Sequence, residues 1–510
     1  MNPIVIVGAG IGGLVTGARL AREGAPVIVL EAHIYPGGCA GTFYHQGYRF
    51  DAGATLAGGF AAGGPMDQVA HAVGLEGWDA RPCDPAMVVH LPQGVQVQRW
   101  GEADRWREER LRLDPQSEGF WRWQEQTAER MWQLAQQLPP WPPQSPRHLA
   151  ALTRLAAGVA IERPSTLPNL VLDAALPVGR RLHSSSHLTR LLVDAQLLIS
   201  AQTASDRANA LYAAAALDLP RRGVVHLPGG MGTLARWLAE QLTRLGGTIQ
   251  YRQRVTRVRP LARGSGYLVE TAKGLSLEAS QVVFNLPPAN IERLLAKSTG
   301  HSKTAHLDLP APDVWGAFCL YLGFDGRAIP DDLPLHHQVI LEEPLGEGNS
   351  TFLSLSPAWD PSRAPSGQRA LTLSTHTLPR PWWDLSQRDP AAFEARVEQY
   401  SIRLLQAAEI ALPGIRSRVN VLLPATPLTF ERFTLRAGGW VGGYPQTHLL
   451  RFATPRLGRG LHRVGDSIFP GQSTAAVALG GLRVAQLVLA DAARSRSRVQ
   501  HAPAPQQGSR

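Results

Sequence analysis

Cysteine is nearly absent: Cys39, Cys83 and Cys319 are the only three in 510 residues, far apart and in no paired spacing. That excludes a disulfide framework and a cysteine-pair zinc site, and a reducing, cytoplasmic compartment is the expectation. Lysine is as scarce. Only Lys273, Lys297 and Lys303 occur, so the 51 basic residues are almost all arginine, scattered singly against 41 acidic ones. The net charge of +10 therefore has no like-charge block, which argues against a nucleic-acid partner. It suits an anionic lipid surface, where each nearby cation contributes about 1 kcal/mol. No run of 18 uninterrupted apolar residues is present, so the chain is expected to touch a membrane without spanning it. Residues 1–7 lead straight into a strand pattern with no basic or apolar leader, so no signal peptide is expected. Charged residues make up 18% and hydrophobic ones 44%, with 50 Gly and 40 Pro, the composition of a loop-rich globular chain. At roughly 150 residues per domain the length corresponds to about three domains.

What is present begins with a β-α-β pattern. A β-branched run (residues 3–7) is followed by a glycine turn (8–13), a helical pattern (14–23), a stop at Gly24 and a second run (27–30). Gly8-Ala9-Gly10-Ile11-Gly12-Gly13 fits G-x-G-x-x-G in the setting its mechanism needs, between strand and helix. The first glycine permits the tight turn, the second lets backbone approach a pyrophosphate, and the third lets helix and strand pack closely. The helix N-terminus adds amide donors and a positive dipole. Glu31, ending the second strand, is placed to accept from ribose hydroxyls and disfavours a 2′-phosphate.

NAD and FAD share this fingerprint, and the rest of the chain points to FAD. A second glycine loop, Gly37-Gly38-Cys39-Ala40-Gly41, follows the acid and suits the far half of a longer cofactor. Near the C-terminus a strand ends on Gly465-Asp466, followed by a small-residue helix from Ser473. Gly465 allows close backbone approach, Asp466 can bond a ribityl hydroxyl, and the helix can aim its dipole at a flavin's pyrimidine edge.

With these residues in place, the chain resembles the flavin-dependent phytoene desaturase and carotenoid isomerase family, within the wider group that includes amine oxidases. The resemblance runs nearly end to end. It rests on residues 8–13 with Glu31, on Phe50-Asp51-Ala52-Gly53-Ala54-Thr55, on Pro228-Gly229-Gly230-Met231, on Thr426-Pro427-Leu428-Thr429 and on Gly465-Asp466. It implies a backbone contact from Val255 to the adenine, and Gly53, Ala54 and Thr55 around the flavin ring. Cys83-Asp84-Pro85-Ala86 and the run at residues 106–110 are similar to the cyanobacterial type of carotenoid 3′,4′-desaturase, of myxol-type pathways. One departure stands out: Cys39 occupies a position where many desaturases and amine oxidases carry Arg, which puts that cation's role in doubt.

The expected architecture is α/β. A discontinuous Rossmann-type FAD-binding domain (residues 1–77, 221–300, 441–494) is joined by a helical, aromatic, membrane-associating region (78–220) and a substrate domain (301–440), with a flexible tail (495–510). The substrate implied is an apolar carotenoid entering from lipid. Residues 148–161, with Leu149, Leu152 and Leu155 on one side, form a candidate interfacial helix. The six tryptophans between residues 100 and 141 suit an apolar polyene, and equally an ordinary core or a membrane interface. No catalytic residue is nominated. A polyene-stabilised cation lowers the demand for a strong acid or base, and Asp51 and Asp84 read better as turn residues than as proton acceptors. His336-His337 lacks a third ligand, so no metal is expected. Alternatives are a cis-trans isomerase on the same scaffold, an amine oxidase, and a prenyl-protein-binding module. The final electron acceptor is left open between a quinone and oxygen.

Overall fold

The strand Ile4–Val7 is buried at every position, and its alternate side chains serve two different cores. Ile4 and Ile6 point to a helical layer, Val5 and Val7 to a small sheet, as the two-residue period of a strand requires. In the computed structural model, which describes residues 2–162, 167–261, 266–299 and 314–500, this strand lies near the centre of a six-stranded sheet. The order is Thr248–Gln250, Val27–Leu30, Ile4–Val7, Gln281–Phe284, Leu461–Arg463, Arg456–Gly458, parallel except at the last edge. Strands 450 residues apart thus complete one sheet. One face carries the helices Ile11–Arg22, Gly232–Arg244 and Thr474–Gln500. The other carries the antiparallel strands Val255–Pro260, Tyr267–Thr271 and Ser276–Ala279.

A seven-stranded sheet forms the second layer, running Val419–Ala425, Gly316–Asp325, Gln368–Thr377, Ser350–Leu355, His336–Ile340, Met87–His90, Gln96–Arg99. One face is covered by the helices Pro379–Arg388 and Pro390–Ala411, through Phe318, Trp382, Tyr400 and Leu404. From its other face Tyr321 meets Phe43 and Phe50 of the N-terminal segment. The region expected to be helical from residue 78 therefore donates two strands to this sheet, and helices begin only at Ala103–Leu113. The Val88-Val89 pair was masked by the tryptophans that follow it.

Those tryptophans are largely core. Trp106, Trp121 and Trp132 are buried, and the Arg99 guanidinium stacks 3.8 Å over Trp106. Of the expected tail, residues 495–500 continue the Thr474–Gln500 helix and residues 501–510 lie outside the described residues. Among the described residues one helical stretch, Thr474–Arg494, is long and apolar enough to cross a membrane. It packs against Ile11–Arg22 as a core helix, burying Leu479, Leu482, Ala485 and Val488.

Candidate functional site

Gly8 turns the chain off the central strand at φ +99°, and Gly10 precedes the Ile11–Arg22 helix in extended conformation, with no side chain capping the first turn. The helix therefore presents uncapped amides, the raw material of an anion site. A Cβ on Gly13 would stand 2.5 Å from the Gly8 carbonyl oxygen, and one on Gly12 3.0 Å from Val464. Gly13 thus serves helix–strand closure and does not line the cavity, whereas Gly8, Gly10 and Gly12 do. Asn285, which follows the strand Gln281–Phe284, lies against this loop: its Nδ2 approaches the Gly8 carbonyl at 3.4 Å and would be 2.6 Å from a Cβ on Gly10.

Glu31 accepts from the Ala9 amide at 2.7 Å through one oxygen and from the His33 amide at 2.8 Å through the other. It ties the glycine loop to the end of its strand while lining the cavity. Gly37 donates its amide to the Ala9 carbonyl at 2.9 Å, which draws the second glycine loop, Gly37 and Gly38, alongside the first. Val255 lines the same cavity, beside Arg254 and Thr256.

At the other end Gly465, at φ +122°, and Asp466 reach the cavity wall. Asp466 is not a free carboxylate: Arg436 pairs with it at 2.8 Å. Cys39 lines the same cavity as Arg436, 397 residues further along the chain. Burial pushes the Cys39 thiol up, against the pull of Arg436. Burial is the largest influence on Arg436 and works against its charge, but Asp466 and Cys39 together outweigh it, so the guanidinium is held above its ordinary value.

Ala54 lines the cavity, while Gly53 and Thr55, expected there with it, are not among the lining residues. Asp51 is a structural junction. Its carboxylate accepts from the Thr42 hydroxyl at 2.6 Å, the Met231 amide at 2.9 Å and Arg363 at 3.0 Å. These bonds fasten the start of the Gly232–Arg244 helix, and a side chain on Gly230, at φ +94°, would collide with them. Asp84 accepts the Gly101 amide at 2.7 Å, a turn role. His336 and His337 are buried in a strand, with His337 Nδ1 3.1 Å from His90 Nε2. Among the described residues no group of three metal-ligating side chains occurs.

One cavity of about 1790 Å³ unites these loops with an apolar wall that includes Phe43, Tyr321, Leu423, Ala425, Phe430 and Phe433. Tyr44 and Phe433, two of the lining residues, are 69% and 57% exposed, so the cavity reaches the protein surface at these residues. Three carboxylate residues line it, and each is engaged: Glu31 and Asp466 as above, and Glu431 by the Gly438 amide at 2.8 Å. The Tyr321 hydroxyl donates to the Ala52 carbonyl at 2.6 Å, and burial pushes that phenol well above its ordinary value.

A glycine cradle that side chains would fill, uncapped helix amides, an acid at the strand end and a second glycine turn fit a dinucleotide of FAD's length. The profile of the flavin-containing amine oxidoreductases matches residues 11–489, and the chain belongs to that family. It is an FAD-dependent oxidoreductase. Among curated relatives it is similar to a chloroplastic prolycopene isomerase of Arabidopsis thaliana, 29% identical over 96% of this chain and 82% of the relative. It is also similar to a lycopene-forming phytoene desaturase of a Paracoccus species, 25% identical over 96% and 97%. In fold it matches a putrescine oxidase double mutant, with a TM-score of 0.60 at 15% identity over 97% of this chain and 99% of that one. An oxidoreductase from Methanosarcina mazei gives 0.59 at 17% identity over 95% and 100%. The sequence reading missed Asn285 and Arg436. Both sit at the ends of ordinary elements and acquire meaning only from distant partners.

Proposed function

We propose that the protein acts on the polyene of an apolar carotenoid, as a desaturase that removes two hydrogens from adjacent carbons. The observation that carries this is the cavity itself, in which the cofactor loops face an aromatic and aliphatic wall whose carboxylates are already engaged. FAD held by these loops would supply the two-electron oxidising chemistry that desaturation needs. The chain's own contribution is to bind, orient and keep water away. A developing positive charge on a conjugated chain is delocalised, so a wall without a free strong base suffices. The relatives named phytoene desaturase support this reading.

The expected product carries a new C-3′,4′ double bond, on the strength of the residues at 83–86 and 106–110. A second reading, cis-trans isomerisation, is favoured by the relatives named prolycopene isomerase at 28–29% identity. The protein works from the membrane surface, with a quinone or oxygen as final acceptor. FAD-loaded protein incubated with carotenoids in liposomes separates the readings. Desaturation gives a product two mass units lighter with red-shifted absorption, isomerisation an unchanged mass with an altered cis band. Hydrogen peroxide formed from amines, with carotenoids untouched, would defeat both.

A further inference from the structure

The segment after the helix Pro427–Thr434 brings Arg436 back into the cavity wall with its Nε and Nη2 donors committed. Nε donates to the Trp440 carbonyl at 2.6 Å, and Nη2 to the Gly442 carbonyl at 3.1 Å and to Asp466 at 2.8 Å. Its side chain is 14% exposed and that of Asp466 16%, whereas Arg254 and Arg432, also on the wall, are exposed. A cation buried this far needs a reason beyond closing a loop, because taking a charge out of water is costly. Backbone carbonyls alone could be met by a neutral side chain. What only a cation supplies is a field, and two groups stand in it: the Asp466 carboxylate and the Cys39 thiol. Burial pushes the Asp466 carboxyl up and Arg436 pulls it back, so without the guanidinium this carboxylate would tend to take a proton.

We propose that Arg436 is a positioning residue of the FAD site: it holds the Asp466 carboxylate in place at the cavity wall and supplies the positive charge on the Cys39 side of the site. The proposal rests on the family's cofactor. Its rival is a residue that merely packs the 436–442 loop.

The test uses the full-length protein carrying Cys83→Ser, in which Cys39 is the readable thiol because Cys319 is buried and its thiol is pushed up to about 12. In Arg436→Gln the affinity for FAD, from fluorescence titration, should fall at least tenfold. In the apoprotein the pH midpoint of Cys39 alkylation by iodoacetamide should move up. Arg436→Lys should restore the thiol midpoint while recovering only part of the affinity, since it keeps the charge and loses the fork. Loop packing predicts the opposite for Cys39, faster alkylation at every pH as the wall loosens. That result, or an FAD affinity within twofold of the parent, overturns the proposal. Should Arg436→Gln fail to fold, Asp466→Asn must lower the Cys39 midpoint, and an unmoved midpoint again refutes it. A parent protein that takes up no FAD would instead overturn the cofactor assignment.

Discussion

Asn285 occupies the space that a side chain at Gly10 would need: its Nδ2 would be 2.6 Å from a Cβ there, while a Cβ on Gly13 would be 2.5 Å from the backbone oxygen of Gly8. The two glycines of one motif are thus required for different reasons. A carboxamide can swing aside, whereas a backbone carbonyl fixed at the turn off the central strand cannot. Gly10→Ala should therefore fold with an unchanged melting temperature and lose at least tenfold in FAD affinity. Gly13→Ala should be destabilised by about 1–3 kcal/mol, the range for overpacking. Thermal melts of the apoproteins and flavin titrations separate the cases, and equal stability losses for both would refute the distinction.

Asp51 and Arg363 form a buried pair at 3.0 Å, and Asp51 also holds the Met231 amide. Asp51→Ala leaves a buried guanidinium without its carboxylate, which costs about 3–5 kcal/mol. Urea unfolding should show that loss. The double variant Asp51→Asn, Arg363→Met should recover part of it, because removing both charges spares the desolvation penalty. A double variant less stable than both single changes combined would argue against the pair.

Much of this was legible from the chain because it is written in local backbone demands. Gly8, Gly10, Gly37 and Gly465 announce turns and close approaches by type and spacing alone, and Glu31 follows from its place at the end of a strand. Arg436, Asn285 and Arg363 carry no such mark. Their roles depend on Asp466, Gly10 and Asp51, 30 to 312 residues away, and an isolated Arg or Asn in a loop reads as solvated surface. The strand Met87–His90 was hidden for a related reason, since its sheet partner His336–Ile340 lies about 250 residues on, and Gln96–Arg99 joins the sheet only through it.

Acid should unfold this protein through its histidines. Burial pushes the His336 imidazole down to about 3 and those of His337, His376 and His462 to about 4. In the unfolded chain each titrates near 6.5, so below that pH the unfolded state binds more protons and stability falls as pH falls. The stabilisation is complete above pH 6.5 and drains away towards pH 4 and then 3. Each buried ring contributes on the order of 2 kcal/mol between pH 6.5 and 5, since one pKa unit is 1.36 kcal/mol. Urea midpoints should drop steeply over that interval, and less steeply in His376→Gln. A flat profile from pH 7 to 5 would show that these rings are not held neutral.

The final expectation is that the protein binds a membrane surface, and through which residues. If the substrate is the carotenoid proposed above, its transfer through water at about 0.8 kcal/mol for each methylene-sized group is prohibitive, and uptake directly from lipid is the expectation. Of the helix expected at residues 148–161, Leu149 is 56% exposed and Leu152 half-buried, while the Leu155 side chain lies outside the described residues. The neighbouring Leu167–Ala175 helix and the residue after it add Val171 at 67%, Leu172 and Leu176, all exposed and apolar. Exposed Arg147, Arg154 and Arg180 lie close in sequence to these leucines and valine, the composition of an interfacial surface. Binding to anionic liposomes should then weaken in high salt, which screens the arginines, without vanishing, because buried apolar area is indifferent to salt. Leu149→Glu with Val171→Glu should remove the salt-resistant part. Flavin content and turnover of detergent-dispersed carotenoid should survive in that variant, while turnover in liposomes falls. The competing surface is the cavity mouth, where Tyr44 and Phe433 stand exposed with Arg432 stacked 5.4 Å from the latter ring. If liposome turnover is lost in Tyr44→Glu, Phe433→Glu and retained in the helix variant, the protein docks by its cavity mouth and the two helices are ordinary surface.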